Sequence, residues 1–247
     1  MSDKYAWAPI RTEPAYRVAA QALRTRIVTG EIAVGSVLPS ETAMAEMLEV
    51  NRSTIREAIR LLEENGIVAR KPGGKKLFVT IPTRADLSER MTTAMVLQEI
   101  TLEELWATMI ALEPAAAAAA AGNATDAHIT ALEANLKATE ANIDNKESLL
   151  ELDLEFHELI ADACGNRALQ LSREPIGSLF YPAFDAVFSR LNAGERLLVA
   201  HTRIVDALKA RDRETAVEWM RKHIVDFRRG VELANLDMSR PAKGASH

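Results

Sequence analysis

Apolar residues recur at helical spacing along nearly the whole of this 247-residue chain, and the period changes in only one short stretch, residues 67–80. Before that stretch, Val18, Ala22, Leu23 and Ile27 share a stripe of the segment Arg17 to Thr29, and Gly30 follows as a stop signal. Ser40 is an N-cap for a short helix from Glu41 to Leu48. A third helix is predicted from about Ser53 to Asn65, with Ile55, Ala58, Ile59 and Leu62 inward and Gly66 at its end. Ile67 to Arg70 and Leu77 to Thr80 then read as short strands around a turn at Lys71-Pro72-Gly73-Gly74. Pro82 marks a linker. Beyond it, helices are predicted at about 84–98, 101–121, 125–144, 146–165, 167–190, 193–211 and 213–235, and no further strand. The alanine run 115–121 belongs to a close-packed helix, because alanine has the best helix propensity and lets neighbours approach. Pro114 is expected to kink that helix or to start its second half.

Three short helices and a two-stranded hairpin in about 65 residues make a winged helix-turn-helix. The remainder reads as an antiparallel all-helical bundle, so the fold class is mostly α. The expected domains are residues 14–80 and 81–236, between flexible tails at 1–13 and 237–247. Charge divides along the same line. Residues 14–80 carry ten Lys/Arg against seven Asp/Glu, a net of +3, whereas residues 81–236 carry sixteen against twenty-five, a net of −9. The overall −5 therefore hides a basic module beside an acidic one, and only the first is suited to a polyanion. Cys164 is the only cysteine, which excludes an internal disulfide and a multi-cysteine zinc site. The first residues lack a signal-peptide core, and no run of about 18 apolar residues predicts a membrane span, so a cytoplasmic protein is expected.

The helix at 53–65 is the one expected to enter a DNA major groove, N-terminal residues foremost. That end carries Asn51, Arg52, Ser53, Thr54 and Arg56. Arginine can fork onto guanine, hydroxyls reach phosphate, and a helix N-terminus attracts anions. Lys71, Lys75 and Lys76 on the wing are placed for backbone phosphate or an adjacent groove. A polar, well-capped helix start is equally at home in water, so these residues taken alone leave both readings open.

Residues 17–80 resemble the DNA-binding domain of GntR-type regulators. The resemblance rests on Ile27-Val28-x-Gly30, Gly35-x-x-Leu38-Pro39-Ser40-Glu41, Val50-x-Arg52-x-Thr54-x-Arg56-Glu57-Ala58, and Leu61 followed by Gly66-Ile67-Val68 before the glycine wing. It implies that Arg52, Thr54 and Arg56 contact double-stranded operator DNA, with Asn51 and Ser53 beside them. Where the family often has an arginine after Ser40-Glu41, this chain has Thr42, so the operator sequence is expected to differ from the commoner ones.

In the second module, Asp153 and His157 stand four apart on one predicted helix, at the margin of the stripe Leu149, Leu152, Phe156, Ile160 and Ala163. His201 lies within the stripe Leu197, Leu198, Ile204, Val205 and Leu208. His223 lies at the edge of Val217, Met220, Ile224 and Phe227. The last two helices turn near Arg211-Asp212, and His201 and His223 stand ten and eleven residues from it, hence at similar height in a hairpin. One carboxylate and three imidazoles can thus converge. That donor set suits a divalent metal, zinc foremost, with nickel, manganese and iron open. Any one of these histidines alone is ordinarily a core residue bonded to a backbone carbonyl. His128 and His247 fit no stripe and read as surface residues.

Residues 84–232 resemble the FCD ligand-binding domain of the FadR-like branch, through Asp153-x-x-Phe156-His157, Ala163-x-Gly165-Asn166-x-x-Leu169, His201, and His223 before Ile224. The resemblance implies an antiparallel bundle in which Asp153, His157, His201 and His223 hold a metal at the floor of a cavity, with an organic acid bound above it. Four residues before Glu113-Pro114, many members have an arginine that grips the effector carboxylate, and here Met109 stands there. Either the ligand is less acidic or another cation such as Arg173 takes the role, unless Arg173 merely packs at a helix surface. Phe180, Tyr181 and Phe184 either line the cavity or belong to the core.

The resulting expectation is a homodimeric regulator, read as a repressor, with two winged modules on a pseudo-palindromic operator and a small carboxylate or sugar-acid effector. Two alternatives stand beside it: a hydrolase-like enzyme using the Asp/His₃ site, and a regulator that senses the metal itself. The first lacks an obvious general base and leaves the DNA reader unexplained.

Overall fold

The computed structural model describes residues 12–71, 73–180 and 194–242. The chain divides into two compact units, one up to Asp86 and one from Leu87 onward, each with its own core.

The first unit begins with α1 (Ala15–Val28), α2 (Glu41–Met47) and α3 (Arg52–Glu64). The Ser40 side chain accepts from the Ala43 amide and starts α2. Helix α3 buries Ile55, Ala58, Ile59 and Leu62, one residue per turn or so, against α1 and α2. Each large apolar side chain fully buried in this way contributes about 1.5–3 kcal/mol. Gly66, at a φ of +68°, reverses the chain into β1 (Val68–Arg70), which pairs antiparallel with β2 (Leu77–Val79) in the register Val68↔Val79. Val68, Leu77 and Val79 complete the core, and the hairpin is the wing of a winged helix-turn-helix.

The second unit holds, among the described residues, α4 (Arg84–Leu97, its first residues in the other unit), α5 (Leu102–Asn123), α6 (Asp126–Ala141), α7 (Lys146–Ala163), α8 (Arg167–Phe180), α9 (Gly194–Lys209) and α10 (Arg213–Leu233). The expected extension of α8 to 190 lies outside the described residues. Helix α5 is the central element. A capping box at Thr101 and Glu104 starts it, and it runs through Pro114 without interruption, where the sequence predicts a kink or a fresh start. Its Ala116, Ala117, Ala120 and Ala121 are buried, and α10 packs more extensively against it than any other helix does. Among the described residues, α5 alone is long and apolar enough to cross a bilayer by length and composition, which the sequence reading did not expect. Half of its most apolar window is enclosed by the bundle.

Of the expected tails, residues 1–11 and 243–247 lie outside the described residues. Residues 238–242 are docked rather than loose. The Arg240 and Met238 carbonyls accept from the Leu102 and Glu103 amides, the Ala242 amide donates to Ile100, and Ala242 is buried. These bonds satisfy amides at the start of α5 that have no partner within the helix.

Candidate metal centre and DNA-reading helix

Helix α7 is begun by Asn145, whose side chain accepts from the Ser148 amide, and its inner face carries Leu149, Asp153, Phe156, His157 and Ile160. Asp153 and His157 are fully buried on that face, deeper than the margin the sequence spacing assigned them. Helices α9 and α10 form a hairpin whose turn is fixed by two local devices. Arg211 adopts a φ of +57°, and Asp212 caps α10 by accepting from the Thr215 amide at 3.0 Å. The Thr215 contacts lower the Asp212 pKa, which keeps the cap charged. With the turn fixed, His201 and His223 face each other with ring centroids 4.8 Å apart.

The four side chains converge in the bundle interior, with one donor atom from each lying within 4.8 Å of all the others. Nε2 of His157 and Nε2 of His223 are 3.1 Å apart. Oδ1 of Asp153 lies 3.2 Å from Nε2 of His201, 3.5 Å from that of His223 and 3.9 Å from that of His157. A single ion with bonds of about 2.0–2.1 Å holds neighbouring donors about 2.9–3.4 Å apart; two of these four edges have that length and the other two are longer. Asp153 and His201 are 0% exposed, and neither carboxylate oxygen nor either ring nitrogen has a hydrogen-bond partner among the described residues. Polar atoms stranded in a dry core each cost about 1–3 kcal/mol, a cost that a shared cation removes. Burial pushes the Asp153 carboxyl upward, but the His201 and His223 rings outweigh it and hold its pKa far below the usual carboxylate range. Burial pushes His201 down to about 3, so its ring is neutral and can offer a lone pair. Phe156 stacks flat on His201 at 3.6 Å between centroids and fixes the plane of that ring.

Glu113, which the sequence reading used only as a landmark on α5, is in direct contact with this cluster. It is 0% exposed; its Oε2 lies 2.8 Å from Nδ1 of His157, and its Oε1 accepts from Nε of Arg173 at 2.7 Å. Burial raises the Glu113 pKa, yet the opposing pull of His157 and Arg173 prevails and lowers it to about 2. A carboxylate on Nδ1 favours the tautomer that turns the Nε2 lone pair toward the other three side chains. The signal in the sequence was a single charged residue in the otherwise uncharged run 105–123 of α5, but its partners are 44 and 60 positions away. Arg173 is 3% exposed and pairs with Glu113 instead of lying at a helix surface. Met109 is fully buried one turn before Glu113. Phe180 is buried in the core, edge-on to Phe227; Tyr181 and Phe184 lie outside the described residues. His128 closes a capping box, its Nδ1 accepting from the Thr125 amide, and His247 lies outside the described residues.

In the first unit, Asn51, Arg52, Ser53 and Arg56 are exposed and Thr54 half-buried at the start of α3. Asn51 occupies the N-cap position without bonding the helix amides. Arg56 pairs with Glu41 at 3.4 Å, and Arg70 pairs with the same carboxylate at 3.2 Å and with Glu63 at 3.1 Å. On the wing, Lys75 and Lys76 are exposed and Lys71 lies over the Phe78 ring, 5.0 Å from its centroid. Thr42 is exposed.

Residues 15–75 match the family model of bacterial regulatory proteins, gntR family, and residues 104–226 match that of the FCD domain. The chain is 27% identical over 205 residues to the HTH-type transcriptional regulator LutR of Bacillus subtilis (strain 168), covering 81% of this chain and 93% of that protein. It is 27% identical over 236 residues, 91% of each chain, to the Glc operon transcriptional activator of Escherichia coli (strain K12). To the galactonate operon transcriptional repressor of the same strain it is 27% identical over 199 residues, or 78% of this chain and 86% of that one. Among solved structures, Streptococcus agalactiae GntR matches with a TM-score of 0.64 and 27% identity, covering 87% of this chain and 99% of that one.

Proposed function

The chain belongs to the GntR family of bacterial transcriptional regulators and carries an FCD domain, and from that premise we propose that it is a cytoplasmic, homodimeric repressor. Its helical unit binds a divalent metal and, through it, a small organic or sugar acid. The observation that carries the proposal is the buried Asp153, His157, His201 and His223 cluster in a chain that also presents a DNA reader. The relatives' names include both an activator and a repressor. Repression is the reading because a bound dimer occludes the DNA it covers, and a reporter gene that rises on deletion of this chain's gene is the expected result.

In the DNA half, the exposed Asn51, Arg52, Ser53 and Arg56 and the half-buried Thr54 supply base and phosphate contacts, and Lys75 supplies a wing contact to phosphate. Two copies related by a two-fold axis match a pseudo-palindromic operator. Arg56→Ala is expected to abolish the gel shift while helicity and metal content stay at wild-type values. A retained shift removes Arg56 from the reading.

In the sensor half, Asp153, His157, His201 and His223 hold the ion, with zinc first and nickel, manganese or iron next. Once bound, the ion supplies an electrophilic docking point for a carboxylate. Glu113 orients the His157 ring, Arg173 fixes Glu113, and Phe156 fixes His201. The effector acts on transcription only if it binds the DNA-competent and incompetent states with different affinity. The double variant His201→Ala/His223→Ala is expected to purify without metal and to lose the response to effector. Stoichiometric metal in that variant refutes the ligand set.

A further inference from the structure

The four clustered side chains are not equally remote from water. Asp153, His157 and His201 are 0% exposed, whereas His223 is 7% exposed and lines a pocket of about 430 Å³ along the seam of α9 and α10. Two acidic and two basic groups, Glu195 and Asp226 against Arg196 and Lys222, line it together with the apolar Val199. His223 therefore stands between the pocket and the cluster, with its Nε2 3.1 Å from that of His157 on the inner side. Two of the four charges close on each other. Nε of Arg196 donates to Oδ2 of Asp226 at 3.0 Å and ties α9 to α10 across the seam. Lys222 is held on its own helix, where it donates to Glu218 and lies 4.7 Å from the Trp219 ring centroid. Asp226 and His223 are three apart on α10, so the ion pair closes the seam within a turn of the imidazole. A buried ion site needs an entry path. Passage elsewhere means parting helices at fully buried side chains such as Phe156 and Ile160 of α7 or Ile204 and Leu208 of α9. That is a larger opening than separating one exposed ion pair and turning one ring.

We propose that the pocket between α9 and α10 is the route by which the divalent ion enters and leaves, that His223 is the first of the four ligands it meets, and that the Arg196–Asp226 ion pair is the latch on that route. The inference rests on the metal reading above and adds its kinetics. Neither Arg196 nor Asp226 belongs to the ligand set. The latch therefore changes the rates of loading and withdrawal together and leaves their ratio, the affinity, alone.

In the experiment the full chain is freed of metal, reloaded with zinc and stripped again with a chromogenic chelator, at an ionic strength that screens exposed charges beyond about 8 Å. Arg196→Gln and Asp226→Asn are each expected to speed both loading and withdrawal about two- to fivefold, with Kd within about twofold of wild type. The double variant is expected to go no faster than either single one, because both break the same pair. Mere steering of the ion by local charge predicts that Asp226→Asn slows loading, and that outcome overturns the latch. A block tests the route itself. Cys164 is buried and inert to maleimides, so Val199→Cys, at a lining position 53% exposed, takes a bulky maleimide at one place only. Labelled before loading, this variant is expected to take up zinc about tenfold or more slower, and labelled after loading, to release it slower by a similar factor. Leu171→Cys, exposed on α8 and outside the pocket lining, is expected to carry the same label without effect. Equal rates with and without the label at position 199 overturn the route, and the latch with it. Wild-type protein that never takes up zinc brings down the metal reading as well.

Discussion

Glu113 shows how a residue can be plain in the structure and mute in the sequence. Asp153 and His157 were legible because i,i+4 spacing puts two side chains on one face. His201 and His223 were legible because equal distances from a tight turn put two residues at one level of a hairpin. Glu113 has no such local rule. Its role comes from α5 meeting α7 and α8, and only that packing brings His157 and Arg173 to its two oxygens. Arg173 illustrates the same limit from the other side, since its charge was noticed but its partner was not. Carboxylates that orient a ligating histidine ordinarily matter about 10–100-fold in metal affinity. Glu113→Gln is therefore expected to weaken zinc binding by about one to two orders of magnitude, read by competition with a chromogenic chelator. An unchanged affinity would show that His157 is oriented by something else.

At the scale of elements, starts were easier to read than middles. Ser40 announced itself as a cap by composition, and the short wing strands were betrayed by the change of period. The middle of α5 was harder, because a proline there deletes one backbone bond and local rules favour a break. The helix persists because the alanines that follow Pro114 pack closely against its neighbours, and that burial outweighs one missing bond. The same close approach leaves no room for a longer side chain. Ala117→Leu, at a fully buried position of α5, is expected to destabilise the helical unit by about 1–3 kcal/mol through overpacking. Urea unfolding followed by far-ultraviolet circular dichroism measures it, and a neutral result would mean the helices can move apart. The loose C-terminal tail was misjudged for a related reason. The bonds from residues 238–242 to the start of α5 are backbone bonds to a distant element, which residue types do not encode.

At the scale of the molecule, the chain forms two units with separate cores, basic in one and acidic in the other. That division was visible from charge and periodicity alone, because each is averaged over many residues and tolerates local errors. It also predicts how stability responds to metal. An ion that binds the native helical unit stabilises that unit by RT ln(1 + [M]/Kd), and the winged unit gains nothing from it. Scanning calorimetry of protein treated with a chelator is expected to show one transition lowered and the other unmoved. A uniform fall of both would show that the units unfold as one. The winged unit has its own internal constraint in Glu41, whose single carboxylate holds Arg56 and Arg70 at once. If Arg56 reads DNA as proposed, it would leave one anionic partner, Glu41, for another, the phosphate backbone.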